Sequence, residues 1–194
     1  MRVLYLYAHP LPESFHGAIH EQVKAGLAEA GHEVDVCDLY AEGFNPVLSP
    51  EERRQYHDLS VNHLPCAEYI ARVQRAEAIV VQFPTWSYGL PAILKGFFDR
   101  VFIPGVSFSL SPGGVAKPAL TYIRKIAGVS TYGRPRWNAF LVGDPPRKAV
   151  TRYLRVLTQW QASAEYHALY NMNQATKPRC EAFLKHVRAK MAAF

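Results

Sequence analysis

The sequence predicts an α/β fold, a parallel sheet with helices on both faces, and three observations carry that expectation. Arg2–Tyr7 and Ala78–Phe83 are nearly continuous β-favouring apolar runs, the pattern of strands buried on both sides. Segments of helical spacing stand between the strand-like runs, as parallel neighbours require, because each crossover must be long and is almost always right-handed. The chain has 194 residues, 49% hydrophobic and 20% charged, enough for one sizeable core and too apolar for disorder. One domain over residues 1–194 is expected, with no fixed-period repeat and no low-complexity segment.

Each element follows in order. Arg2–Tyr7 is the first strand and ends at Ala8-His9-Pro10. Ser14 can cap a helix in which Phe15, Ala18, Ile19, Val23 and Leu27 recur at helical spacing, with Gly31 placed to end it. Glu33–Cys37 alternates as a short second strand. Residues 50–75 read as weak helix, broken near Asn62–Pro65. Ala78–Phe83 is the third strand, with Pro84 ending it because proline cannot donate to a ladder. A helix starts near Pro91, with Leu94, Phe97, Phe98, Val101 and Phe102 on its apolar side. Residues 104–117 read as loop, Pro118–Arg124 as the fourth strand, and a polar, glycine-containing loop runs on to about Pro135. Asp144 can cap a helix from Pro145 to about Gln161, Tyr166–Tyr170 is a fifth strand, and a last helix from Pro178 carries Phe183, Val187 and Met191.

Composition excludes several classes of protein. No apolar run approaches the roughly 20 residues that cross a bilayer, and the N-terminus lacks the pattern of a secretory leader. Cys37, Cys66 and Cys180 are odd in number, far apart and without a CxxC pair, so reduced thiols in a cytoplasmic protein are expected, with no zinc site. The net charge is +6 with pI near 9.3, but the basic residues are dispersed, which argues against nucleic acid. No metal-ligating cluster and no Ser-His-Asp arrangement stands out, and His57 and His63 read as solvated surface.

In an open parallel sheet ligands sit beyond the carboxyl ends of the strands, where strand order reverses, which directs attention to residues 8–15, 84–90 and 124–135. The first segment has neither a GxGxxG nor a Walker lysine. It offers His9, Ser14 and His16 around a helix start, where free N–H groups and the helix dipole attract a phosphate; Ser14 as a plain cap and His9 as a hydrogen-bonded strand end stay open as alternatives. In the second, Trp86 and Tyr88 stand at a strand exit where apolar burial does not require them, and Gly89 permits close backbone approach. A flat ring can lie there, and Trp86 packing on the following helix is the competing reading.

Pro84-x-Trp86-x-x-Gly89-x-Pro91-Ala92-x-Leu94-Lys95-Gly96-x-x-Asp99-Arg100-Val101-Phe102, with Ala8-His9-Pro10, Ser14-Phe15 and Asp38-Leu39-Tyr40-x-x-x-Phe44-Asn45-Pro46, resembles the NAD(P)H:quinone oxidoreductase family of flavodoxin-like flavoproteins over residues 3 to about 108. The resemblance implies a three-layer sandwich with a five-stranded parallel sheet in the order 2-1-3-4-5. It also implies noncovalent FMN or FAD, NAD(P)H as co-substrate, quinone-like acceptors, and a homodimer with its active sites at the interface. Carried over, His9, Ser14, Phe15 and His16 would meet the flavin phosphate and ribityl end, and Pro84, Thr85, Trp86, Ser87 and Tyr88 would line the ring. Lys95, Asp99 and Arg100 read as structural.

Two departures from the family pattern stand out. His16 replaces the usual Asn after Ser-Phe, and Lys125-Ile126-Ala127-Gly128-Val129-Ser130-Thr131-Tyr132-Gly133 replaces a Thr-Thr-Gly-Gly loop. Backbone N–H groups around Ala127 and Gly128 are therefore expected to hold the ring's pyrimidine edge, with Tyr132 as a catalytic hydroxyl donor where reduced flavin gathers charge; Tyr132 as an ordinary loop aromatic stays open as the alternative. The implied activity is two-electron ping-pong reduction: hydride from NAD(P)H to flavin N5, then electrons to a quinone. Azo or nitro compounds are alternative acceptors. A flavodoxin-type electron carrier or flavin-binding regulatory subunit is the alternative of another class, disfavoured by the basic charge because carriers tend to present acidic faces.

Overall fold

Val3, Leu4, Tyr5 and Leu6 are all buried because helices cover both sides of the strand they form, β1 (Arg2–Tyr7). The computed structural model describes residues 1–111 and 113–194. β1 lies between β2 (Glu33–Asp38) and β3 (Ala78–Thr85), parallel to both, with Tyr7 in register with Asp38 on one side and Gln82 on the other. β3 pairs with β6 (Lys125–Tyr132) and β6 with β7 (Ser163–Leu169), again parallel, so the main sheet runs β2-β1-β3-β6-β7. Counting only its own strands, this is the order 2-1-3-4-5.

Helices α1 (Phe15–Glu29) and α8 (Lys177–Ala192) bury Ile19, Val23, Leu27, Val187 and Met191 against Val3, Tyr5, Val80 and Val129 on one face. The opposite face packs Leu4, Leu6, Ile79, Val81 and Phe83 against α3 (Ala67–Arg75), α4 (Ala92–Val101) and the helical stretch 145–157. Ser14 caps α1, its Oγ accepting the Gly17 N–H at 3.2 Å, and Gly31 follows the helix end in the left-handed region at φ 71°. The weak helix of residues 50–75 resolves into α2 (Pro50–Gln55) and α3, with a short 3₁₀ turn, Leu64–Cys66, before α3.

The fourth strand of the sheet is not where the sequence suggested. Pro118 closes a small antiparallel hairpin, β4 (Phe108–Leu110) with β5 (Ala116–Pro118), inside the stretch 104–117 expected as loop, of which residue 112 lies outside the described residues. Residues 119–124 then turn, tucking Leu120 and Ile123 into the core. The sheet strand is β6, in the segment expected to be a ligand-binding loop. Its glycine and hydroxyl residues look loop-like in isolation, yet a Cβ at Gly128 would come within 2.6 Å of the Tyr166 ring and 3.0 Å of Val150. The glycine makes room for a neighbouring side chain in the core. Ala127 and Gly128 are thus mid-strand residues inside the ladder, and the expectation that their N–H groups hold a ligand is corrected.

Three smaller differences matter for the site. β3 continues through Pro84 to Thr85. A short helix, α5 (Arg136–Leu141), was not foreseen. The helix expected over residues 145–161 is shorter and divided: α6 (Pro145–Lys148), a π-helical stretch over Ala149–Leu154, then α7 (Arg155–Leu157). Asp144 does not cap it; its backbone is left-handed (φ 47°) and its carboxylate turns to Tyr132. Among the described residues no helix is long and apolar enough to cross a membrane, and no group of three His, Cys, Asp or Glu is placed to hold a metal. Gly128→Ala is expected to lower stability by about 1–3 kcal/mol in urea denaturation, the cost of overpacking between the sheet and Tyr166; a variant as stable as the parent would show that the Tyr166 ring has room to yield.

Candidate active site

The strand order reverses at β1, so the chain leaves β1 and β3 toward opposite faces and their carboxyl ends diverge. A cleft of about 350 Å³ opens there. His9, Ser14, Phe15 and His16 enter it from the β1–α1 segment, and Pro84 and Trp86 from the end of β3. Six residues singled out from the sequence therefore share one cavity. The register that pairs Pro84 with Thr131 brings Thr131 and Gly133 to the same wall, and Met172 and Asn173, after β7, complete it.

Around the start of α1 the side chains brace one another. His9 stacks on His16 with ring centroids 5.1 Å apart and planes 10° apart, and its Nδ1 lies 3.0 Å from Ser14 Oγ. The Ser14 hydroxyl donates to the Leu11 carbonyl at 2.7 Å, so the cap is held from both sides. The first turn of α1 contains no acidic residue, leaving its unpaired N–H groups and the positive end of its dipole unopposed. Phe15 leans on Phe183 of α8, with centroids 6.4 Å apart.

At the end of β3 the chain makes a tight turn closed by the Gly89 N–H donating to the Trp86 carbonyl at 2.8 Å. Ser87 and Tyr88 both occupy the left-handed region, φ 50° and 56°, a conformation that costs non-glycine residues on the order of 1 kcal/mol each. The turn holds Trp86 with 44% of its surface exposed and its ring 6.1 Å from that of His9. Thr85 points elsewhere, its Oγ1 3.1 Å from Ser130 Oγ, and Ser87 and Tyr88 form the tip of the turn beside the cleft.

Behind the cleft lies a polar stripe across the α1 face of the sheet. Gln82, fully buried on β3, donates from Nε2 to the His16 carbonyl at 2.7 Å and lies 3.3 Å from His16 Nδ1. His16 Nε2 is 2.9 Å from Thr131 Oγ1. His16 is 3% exposed, and burial first, then the neighbouring His9, lowers its pKa to about 3. Burial lowers His9 as well, against the raising effects of the Leu11 carbonyl and Glu13.

Tyr132, the residue expected to donate to a ring, is buried on the other face. Its hydroxyl donates to Asp144 Oδ1 at 2.6 Å and meets Tyr166 Oη at 2.8 Å, and its ring stacks on Tyr170 at 4.5 Å. Burial, then Tyr166 and Asp144, drive its pKa far upward, so it is a neutral phenol whose single proton is committed to Asp144. Thr131, one residue earlier and on the opposite face, reaches the cleft in its place. Gln82 was hidden in an apolar run; the available signal was that an amide in a doubly buried strand must have partners.

A family described as the flavodoxin-like fold matches residues 1–189. The chain is 31% identical over 108 residues to YcaK of Escherichia coli (strain K12), an uncharacterized NAD(P)H oxidoreductase, a match that covers 55% of each chain. The chain spans about half the length of the curated relatives it matches. Two solved structures resemble it nearly end to end. Smu.1420 from Streptococcus mutans UA159 has 27% identity and a TM-score of 0.86, with all of both chains covered. An NAD(P)H:quinone oxidoreductase from Methanothermobacter marburgensis has 26% identity and a TM-score of 0.84, covering 99% of this chain and 98% of that one.

The depressed pKa of His16 has a stability consequence. The unfolded chain binds a proton at this histidine near pH 6.5, the folded one near pH 3, so folding loses about 1.4 kcal/mol per pH unit between those values as pH falls. In urea denaturation the loss of stability from pH 7 to pH 5 should be about 2 kcal/mol smaller for His16→Asn than for the parent; equal losses would show that His16 protonates normally in the fold.

Proposed function

The chain belongs to the flavodoxin-like fold family, and on that footing we propose that it is a flavin-dependent NAD(P)H oxidoreductase whose acceptors are quinone-like molecules. The observation that carries this reading is the cleft at the strand-order reversal, where a half-exposed tryptophan faces the capped start of a long helix. An apolar ring surface beside a ring of N–H donors suits a planar group with an anionic tail.

The residues present fit a flavin. The Ser14-capped start of α1, with His9, Phe15 and the backbone N–H of His16, would hold the phosphate and ribityl end, the His16 ring being committed to Gln82 and Thr131. Pro84, Trp86 and the backbone of residues 85–88 would line the ring. Thr131 and Gly133 take over the edge contacts first expected of Ala127 and Gly128, because they stand where β6 meets the cleft. Tyr132 acts at one remove: with Asp144 and Tyr166 it fixes the end of β6 against the start of α6. A flavin held by these residues would supply two-electron redox chemistry between NAD(P)H and an acceptor.

A homodimer with the site at its interface accords with α5, which begins three residues after Gly133. Trp137, Phe140 and Leu141 on this helix are largely exposed, Phe140 at 79%. Cys37, Cys66 and Cys180 are unpaired thiols, which agrees with a cytoplasmic setting.

Purified protein incubated with FMN or FAD should turn yellow and bleach when NADPH or NADH is added; protein that stays colourless with both flavins defeats the proposal. Mass spectrometry of the released cofactor distinguishes FMN from FAD. Trp86→Ala should weaken flavin binding by about 1–3 kcal/mol, the value of an aromatic stacking contact, measured by fluorescence titration. Unchanged affinity would take Trp86 out of the ring's surroundings.

A further inference from the structure

We infer that His16 is a positioning residue that fixes the hydroxyl of Thr131 as a hydrogen-bond donor into the cleft, so that this wall selects a ligand atom carrying a lone pair. The polarity follows from a chain of donors with one consistent assignment. The His16 backbone carbonyl, 2.7 Å from the Gln82 amide, can only accept, so the atom facing it is the Gln82 nitrogen and the amide cannot be flipped. Gln82 Oε1 then faces Tyr5, whose hydroxyl donates to it, and the Tyr5 oxygen accepts from His20 Nδ1 at 2.9 Å.

With one Gln82 N–H given to the His16 carbonyl, the second is directed at His16 Nδ1, which must be the bare nitrogen. The imidazole proton is therefore on Nε2 and donates to Thr131 Oγ1 at 2.9 Å. Thr131 is 5% exposed, and among the described residues its hydroxyl has no acceptor for its own hydrogen. That hydrogen is left to the cleft that Thr131 lines. The same buried stripe that keeps His16 neutral keeps this direction of donation fixed, because an imidazolium would need a second acceptor where Gln82 presents a donor.

The assignment of the protons stands on the protein alone. The identity of the recipient, an acceptor atom of the flavin, rests on the function proposed above, and the two are tested separately. In ligand-free protein with ¹⁵N-labelled histidine, the His16 nitrogens, assigned by their loss in His16→Asn, should show Nε2 protonated and Nδ1 bare without titrating between pH 5 and pH 8. A proton on Nδ1, or titration within that range, overturns the positioning role. In FMN titrations Thr131→Val should bind about three- to tenfold more weakly, the worth of one neutral hydrogen bond, while Thr131→Ser binds as the parent does. Parent-like binding by Thr131→Val overturns the donor assignment. Failure of the parent itself to bind FMN and FAD removes the cofactor reading alone, and the nitrogen shifts still decide the role of His16.

Discussion

Right-handed crossovers that leave β1 and β3 on opposite faces of the sheet are the constraint on which the molecule depends. The connection from β1 to β2 must carry α1 over one face, and the connection from β3 to β6 must carry α4 over the other. Their first residues part at the carboxyl edge, and the gap between them is the cleft. Nothing in the loops has to create a cavity; they furnish one that the topology imposes. The aromatic and hydroxyl residues that line it follow from where each strand stops, as the pairing of Pro84 with Thr131 shows.

The two faces of the sheet do different work near that edge. On the α1 face, Tyr5, Gln82 and Thr131 lie on three neighbouring strands and are tied together by His16 and His20 from the helix above. A buried polar stripe is costly unless its groups are satisfied, and these five side chains bond to one another up to the last hydroxyl, while the neighbouring Tyr7 hydroxyl on the same face has no partner among the described residues. On the opposite face, Tyr132, Tyr166 and Asp144 form a closed hydroxyl–carboxylate cluster that anchors the turn into α6. One network ends in the cleft and the other ends in the scaffold.

Much of this was legible in the residues. The continuous apolar runs located β1 and β3, the cap at Ser14 and Gly31 bracketed α1, and the Trp86 to Phe102 motif located the turn and helix beyond β3. The fourth strand was not legible, because Gly128 in mid-run reads as a break in a strand, and the ring that fills the space over it belongs to a residue 38 positions away. The expected edge contacts fall on Ala127 and Gly128 inside the strand, whereas the residues at its end that line the cleft are Thr131 and Gly133. The place of Tyr132 is hidden for a related reason: alternation along β6 puts it on the face opposite Thr131, and a segment read as loop has no alternation to apply.

The paired left-handed residues at Ser87 and Tyr88 have a kinetic consequence. The tip of the turn is already bent by the fold itself, closed by the Gly89–Trp86 hydrogen bond, before any ligand arrives. A ligand meeting such a surface forfeits little loop entropy on docking. Its capture is then governed by encounter and orientation, and differences in affinity among ligands of similar shape will be expressed mainly in how long each one stays.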